Sequence, residues 1–109
     1  MEGWWQAVPG SASPDVGGKI EREIVAGGDE LDALVRGIDA PKGSVVEVVF
    51  DGDVVASAAL ERKRRLFAGA TGRVRITVDA TARPRMRAGD RVVLRINGEA
   101  VAEAVLEPD

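Results

Sequence analysis

The 109-residue chain contains no cysteine, no histidine and no tyrosine. Without cysteine it forms no disulfide, so its fold does not require an oxidising compartment. Without histidine and cysteine it also lacks the commonest general base and the commonest soft nucleophile of enzymes. We therefore expect a protein that is not an enzyme, with no catalytic residues and no cofactor.

Aromatic residues and long apolar runs are also scarce. The chain has two Phe and two Trp, and its longest uncharged, mostly apolar run is Val54–Leu60. A run of that length cannot span a bilayer. The N-terminal eighteen residues lack the basic and long apolar parts of a secretory signal. Hydrophobic residues nevertheless make up 45% of the chain, which indicates one folded domain built from thin, Val- and Ala-rich strands.

A repeat with an offset of 46 residues is the strongest pattern in the chain. Gly43–Glu61 aligns with Gly89–Glu107 without a gap, and 8 of the 19 positions are identical. Each copy consists of two apolar runs separated by Asp-Gly or Asn-Gly, which is typical of a β-hairpin. The sequence therefore predicts two equivalent hairpins.

Fourteen apolar positions in these hairpins alternate with other residues and are expected to face one core. They are Val46, Val48, Phe50, Val54, Ala56, Ala58 and Leu60 in the first copy, and Val92, Leu94, Ile96, Ala100, Ala102, Ala104 and Leu106 in the second. We expect Val46, Val48, Phe50, Val92, Leu94 and Ile96 to form its centre.

The two apolar sets of a hairpin share a face only in certain registers. A two-residue type I′ turn pairs Phe50 with Asp53 and puts the sets on opposite faces. We therefore predict a three-residue bulged loop in each hairpin, ending in Gly52 or Gly98 at positive φ. In the second hairpin this register places Arg95 opposite Glu99 and Arg91 opposite Glu103, which are favourable pairs.

The remaining segments complete an all-β prediction. Residues 1–18, rich in Pro, Gly and Ser, are expected to form a flexible lead before a single β domain over residues 19–109. Lys19–Ala26 and Arg73–Val78 indicate strands. Leu31–Gly37 fits a helix or a strand, and its alternation favours the strand. Seven to eight short strands predict an antiparallel β-sandwich of immunoglobulin-like architecture, with a small open β-barrel as the alternative.

Charge is distributed very unevenly along the chain. Residues 62–95 hold 11 of the 15 basic residues and only two acidic ones, although the net charge of the chain is −3. Such a segment either pairs with acidic neighbours in the fold or forms a binding surface. The adjacent Trp4 and Trp5 either fold back over a groove or anchor on a partner. The candidate partner-binding residues are Trp4, Trp5, Arg62, Lys63, Arg64, Arg65, Phe67, Arg73 and Arg75.

Carboxylate pairs occur at Glu21 with Glu23 and at Asp51 with Asp53. Their spacing does not match a calcium loop, and we expect no metal site. Short β modules on bacterial surface and extracellular proteins have this general look, and no motif in the chain is specific to a family. The sequence thus favours a non-catalytic β-sandwich module that acts through protein–protein association or self-association. The alternative is a polyanion or nucleic-acid binder that uses residues 62–95.

Overall fold

The computed structural model describes residues 1–25, 28–41, 43–62, 72–79 and 87–108, with backbone alone for 22–25, 28–31, 61–62 and 72–79. Ten strands lie in this part of the chain: β1 Glu2–Trp4, β2 Gln6–Ala7, β3 Gly17–Val25, β4 Gly28–Ile38, β5 Val45–Phe50, β6 Asp53–Ala59, β7 Glu61–Arg62, β8 Gly72–Asp79, β9 Arg91–Ile96 and β10 Glu99–Val105. The segment for which helix and strand remained open is therefore a strand, β4.

The strands form two antiparallel sheets that pack together around one core. Sheet A has the order β1-β3-β4-β8-β7, and sheet B has the order β2-β10-β9-β5-β6. Since β2 and β7 have two residues each, eight of the described strands have three or more. The predicted sandwich of seven to eight short strands is confirmed, and the two separate sheets replace the alternative of a small open barrel.

Two of the passages from one sheet to the other consist of a single buried residue. Trp5 lies between β1 in sheet A and β2 in sheet B, and Leu60 lies between β6 in sheet B and β7 in sheet A. Each crossing connects an edge strand of one sheet to an edge strand of the other. The sequence predicts a flexible lead over residues 1–18, whereas the structure places this segment in both sheets, with β1 paired to β3 and β2 paired to β10.

Both hairpins turn over two residues, so the predicted three-residue loop is wrong. Phe50 pairs with Asp53, and Ile96 pairs with Glu99. The intervening Asp51 and Gly52 have φ of 52° and 80°, and the second turn repeats these values closely. Two consecutive residues at positive φ define a type I′ turn, which matches the twist of paired strands. The predicted positive φ of the turn glycines is confirmed.

A β-bulge just beyond each turn restores the shared apolar face. Val49 lies opposite Val54, but Val48 lies opposite Ala56, so Val55 is the extra residue. Val101 takes the same place in the second hairpin. One extra residue exchanges the two faces of a strand. Val55 and Val101 therefore belong to the core. The sequence predicts Val54 and Ala100 at these places instead.

The core combines the inner faces of both sheets. Val46, Val48, Val92, Leu94 and Ile96 are buried as predicted. Phe50 is half-buried and packs against the edge of this cluster, so its predicted place at the centre is wrong. Trp5 is 4% exposed and fills part of the interior instead. The N-terminal segment, rather than the hairpin, thus supplies the large aromatic side chain of the core.

The two copies of the repeat lie side by side in sheet B. Their first strands, β5 and β9, are neighbours, and their second strands, β6 and β10, flank them on either side. The strand order β6-β5-β9-β10 is therefore symmetric about the boundary between β5 and β9. The equivalent positions Val48 and Leu94 lie opposite each other there, flanked by the pairs Glu47 with Arg95 and Val49 with Val93.

Candidate interaction surfaces

The two adjacent tryptophans, predicted as partner-binding residues, have opposite environments. Trp4 is 57% exposed, whereas Trp5 is 4% exposed and belongs to the core. Successive residues of an extended chain point to opposite sides, and this alternation separates the two rings. The Nε1 atom of Trp5 is buried and has no hydrogen-bond acceptor among the described residues. Of the two tryptophan rings, only that of Trp4 is accessible to a partner.

Three of the predicted basic residues, Arg62, Arg73 and Arg75, lie at the opposite edge of sheet A from Trp4. Arg62 pairs with Gly72, Arg73 with Glu61, and Arg75 with Leu34 in the backbone register. Lys63, Arg64, Arg65 and Phe67 lie outside the described residues. The described backbone thus brings Arg62, Arg73 and Arg75 to the β7–β8 edge and leaves Trp4 on β1, the other edge strand.

The outer face of sheet A, which we call face A, carries most of the charge described on this sheet. Trp4, Lys19, Leu34 and Arg75 take one register row across four strands. Glu2, Glu21 and Asp32 take the next row, and no set of three acidic residues in the described ranges is placed to hold a metal ion. A shallow cavity of about 230 Å³ lies between the two rows.

Lys19 links the two rows of face A. Its Nζ forms an ion pair with Glu21, approaches Glu2 Oε2 to 4.0 Å and lies 5.9 Å from the centre of the Trp4 ring. The pKa of Lys19 is raised, chiefly by its hydrogen bond to Glu21. Partial loss of hydration acts against this, and the negative charges of Glu21, Glu2 and Asp32 add to it. Face A therefore presents a basic side chain that its acidic neighbours already engage.

The outer face of sheet B, which we call face B, has a different character. Val93, Val49 and Val54 form one register row across three strands. Val49 is 8% exposed and lies outside the sandwich core cluster, so its neighbours on the outer face shield it. Val45 and Val105, at 47% and 44% exposure, extend this apolar surface toward two ends of the sheet. Face B is thus a valine-rich surface without a described covering layer.

Two ion pairs lie within face B. Arg95 Nη2 is 3.6 Å from Glu47 Oε1, and Arg91 Nε is 3.7 Å from Glu103 Oε2. The predicted partnership of Arg91 with Glu103 is confirmed as an ion pair, although Arg91 lies opposite Val105 in the register. The predicted partnership of Arg95 with Glu99 is wrong, because the two-residue turn sets Arg95 opposite Ala100. Its ion-pair partner is Glu47 on β5.

Arg95 has one donor that the described residues leave unsatisfied. Its side chain is 33% exposed, yet its Nε atom is buried and has no hydrogen-bond acceptor. A buried donor without an acceptor destabilises a protein by about 1–3 kcal/mol. Arg95 lies near the middle of face B, and the exposed third of its side chain is open to contact from outside the chain.

Sequence reasoning pointed to the basic segment and did not find face B. The signal was present in β5, where Val45–Phe50 is apolar at five of six positions. A strand with one face in water is expected to alternate apolar and polar residues, while a run that is apolar throughout indicates burial on both faces. The apolar residues of β5 were therefore the sequence signal for an apolar outer face on this sheet.

None of the described residues forms a helix long and apolar enough to cross a membrane. Comparison of the chain with protein-family models, with characterised proteins and with solved structures finds no significant match.

Proposed function

We propose that this protein is a non-catalytic β-sandwich module that acts through protein–protein association, and that face B is its binding surface. The observation that carries the proposal is the apolar surface of face B. Val45 and Val105 are exposed there, and Val93 and Val54, on either side of the buried Val49, are partly exposed. Contiguous apolar surface that is rimmed by polar residues is characteristic of protein interaction sites.

The polar groups of face B support a protein partner rather than a charged small molecule. Its two arginines are each paired with a carboxylate of the same face, so the face has no excess charge with which to attract an ion. Arg95, whose side chain is 33% exposed, can donate a hydrogen bond to an acceptor on such a partner. Protein interfaces combine an apolar centre with polar contacts. The valine side chains and the arginines of face B provide both.

Face A serves as an internal comparison for this proposal. Its exposed apolar side chains, Trp4 and Leu34, are separated by Lys19, and the next register row is acidic. Burying Lys19 and its carboxylates against an apolar partner would cost free energy, because charged groups lose hydration. We therefore expect face A to stay in contact with water while face B is covered.

Site-specific photo-crosslinking tests which face contacts a protein. A photoreactive amino acid replaces Ser57, an exposed residue of face B, or Leu34, its counterpart on face A, in cells that naturally produce the protein. We expect a discrete protein adduct from position 57 and none from position 34. Absence of an adduct from position 57, or adducts only from position 34, would contradict the proposed function.

A second candidate function is polyanion binding through residues 62–95, and the positions of Arg62, Arg73 and Arg75 at one edge of sheet A favour it. Counterion release makes such binding fall steeply with salt concentration, whereas an apolar interface changes little. Retention of the purified chain on heparin, measured at rising ionic strength, separates the two functions. Strong retention that Arg73→Glu with Arg75→Glu abolishes would favour the polyanion function.

A further inference from the structure

We infer that the occupant of face B is a second copy of this chain, bound by a two-fold axis that runs between β5 and β9. This inference rests on the proposed function and adds the identity of the partner and the geometry of the contact. The observation behind it is that the outward residues of β5 and β9 pair directly, Glu47 with Arg95 and Val49 with Val93.

The axis follows from the register of these two strands. A two-fold axis that lies in the interface, parallel to the strands and midway between β5 and β9, places β9 of one copy over β5 of the other. Arg95 then faces the partner's Glu47, and Val93 faces the partner's Val49. Each contact occurs twice, as every contact of a two-fold interface does. Glu47 and Arg95, which are neighbours within one sheet, therefore also face each other between the two copies. The same holds for Val49 and Val93.

The charges of face B are complementary to a second copy of the same face. Its ion pairs comprise two arginines and two glutamates, so two copies meet without excess charge although each chain has a net charge of −3. The partner's Glu47 also lies over Arg95, whose side chain is 33% exposed and can donate to a second carboxylate. A partner with an unrelated surface would have to reproduce this arrangement independently.

The size of face B fits a reversible dimer. Sheet B has five strands, and at ordinary strand spacing and residue rise its face measures about 24 Å by 20 Å. Two such faces bury about 1,000 Å² in total, which is near the lower limit for a specific interface. We therefore expect a dimer with a dissociation constant in the micromolar range or weaker, which forms as the concentration rises.

Charge exchange between two variants tests the inference. Arg95→Glu alone and Glu47→Arg alone each place like charges face to face across the axis, and each variant should self-associate at least about tenfold more weakly than the natural chain. In a mixture of the two variants, both facing contacts have opposite charges. Sedimentation velocity of the full-length chains should then detect a mixed dimer at concentrations where each variant alone is monomeric.

The control uses the other ion pair of the same face. Arg91 and Glu103 lie on β9 and β10, which face the partner's β5 and β6, so these two residues do not face each other in the dimer. A mixture of Arg91→Glu and Glu103→Arg should therefore show no preference for the mixed dimer. Circular dichroism of every variant establishes that it is folded, and the Arg95→Glu, Glu47→Arg double variant, which retains an opposite pair within the chain, should dimerise by itself.

The outcomes separate this inference from the proposed function. A natural chain that remains monomeric up to its solubility limit overturns the inference, as does a mixture of Arg95→Glu and Glu47→Arg that stays monomeric. If the crosslink from position 57 joins the chain to a different protein, face B is a binding surface but its occupant is not a second copy. If position 57 gives no protein adduct, the proposed function itself fails.

Discussion

Glu47 and Arg95 lie directly opposite each other on β5 and β9, with 3.6 Å between the carboxylate Oε1 and the guanidinium Nη2. They occupy corresponding strands of the two repeats, at the boundary about which the strand order is symmetric. Exposed ion pairs contribute only about 0–1 kcal/mol to stability, and both side chains here are still partly exposed. The importance of this pair therefore lies in its position at the centre of face B.

The type I′ turns give a prediction about stability. Gly52 and Gly98 adopt φ of 80° and 85° at equivalent positions of the two hairpins. Replacing either by Val should lower the free energy of unfolding by about 1–3 kcal/mol, because a β-branched residue is strained at positive φ. Urea denaturation measures the loss, and Asp51→Asn is the control, since Asn tolerates positive φ. Similar midpoints for Gly98→Val and Asp51→Asn would show that the turn has another conformation.

The edge position of Phe50 gives a comparison with a fully buried residue. Leu94 is 0% exposed, whereas Phe50 is half-buried beside the core. Leu94→Ala should cost about 2–5 kcal/mol, and Phe50→Ala should cost less because part of its ring already contacts water. The free energies of unfolding of the two variants, compared with the natural chain, test this order. A larger loss for Phe50→Ala would place its ring at the centre of the core after all.

Trp5 is buried with an indole N–H that has no described acceptor. Trp5→Phe keeps most of the buried ring and removes the unsatisfied donor, so its effect on stability should be small. Trp5→Ala leaves a cavity and should cost about 3–5 kcal/mol. Thermal or urea unfolding of both variants provides the test. Equal losses for the two substitutions would mean that the indole nitrogen forms an essential hydrogen bond.

Lys19 gives a prediction about alkaline pH. Its pKa is raised above the ordinary value of 10.5, chiefly by the hydrogen bond to Glu21. The positive charge of Lys19 therefore contributes its full stabilisation of the folded state below about pH 10.5, the ordinary pKa. This contribution is lost as the pH rises through the raised pKa. Since the chain has no tyrosine or cysteine, only lysine side chains titrate in this range. The urea midpoint should fall there less steeply in Lys19→Met than in the natural chain, and identical slopes would contradict the prediction.

The hairpins, the strand at residues 28–38 and the sandwich architecture were predictable from alternation and repeats. The position of the extra residue in each hairpin was not. A three-residue loop and a two-residue turn followed by a bulge both bring the apolar sets together beyond the turn, and alternation does not distinguish them. The choice rested on an acidic partner for Arg95 within its own hairpin, while its actual partner, Glu47, comes from the other hairpin.

The N-terminal strands and face B were harder to predict for a related reason. Pro, Gly and Ser around residues 8–18 indicate irregular structure, but β1 and β2 are only three and two residues long, and partners distant in sequence stabilise them. The adjacent tryptophans were the signal that this segment packs against the domain, and of the two only Trp5 is buried. Face B depends on which strands of the two hairpins are neighbours, and this is a property of the tertiary fold.

Backbone amide NMR of the natural chain at decreasing concentration tests most directly whether face B mediates self-association. We predict that dilution shifts the resonances of Glu47, Val49, Val93 and Arg95, with a common midpoint, and leaves those of Lys19 and Leu34 on face A unchanged. A spectrum that does not change with concentration, or shifts confined to face A, would contradict this account.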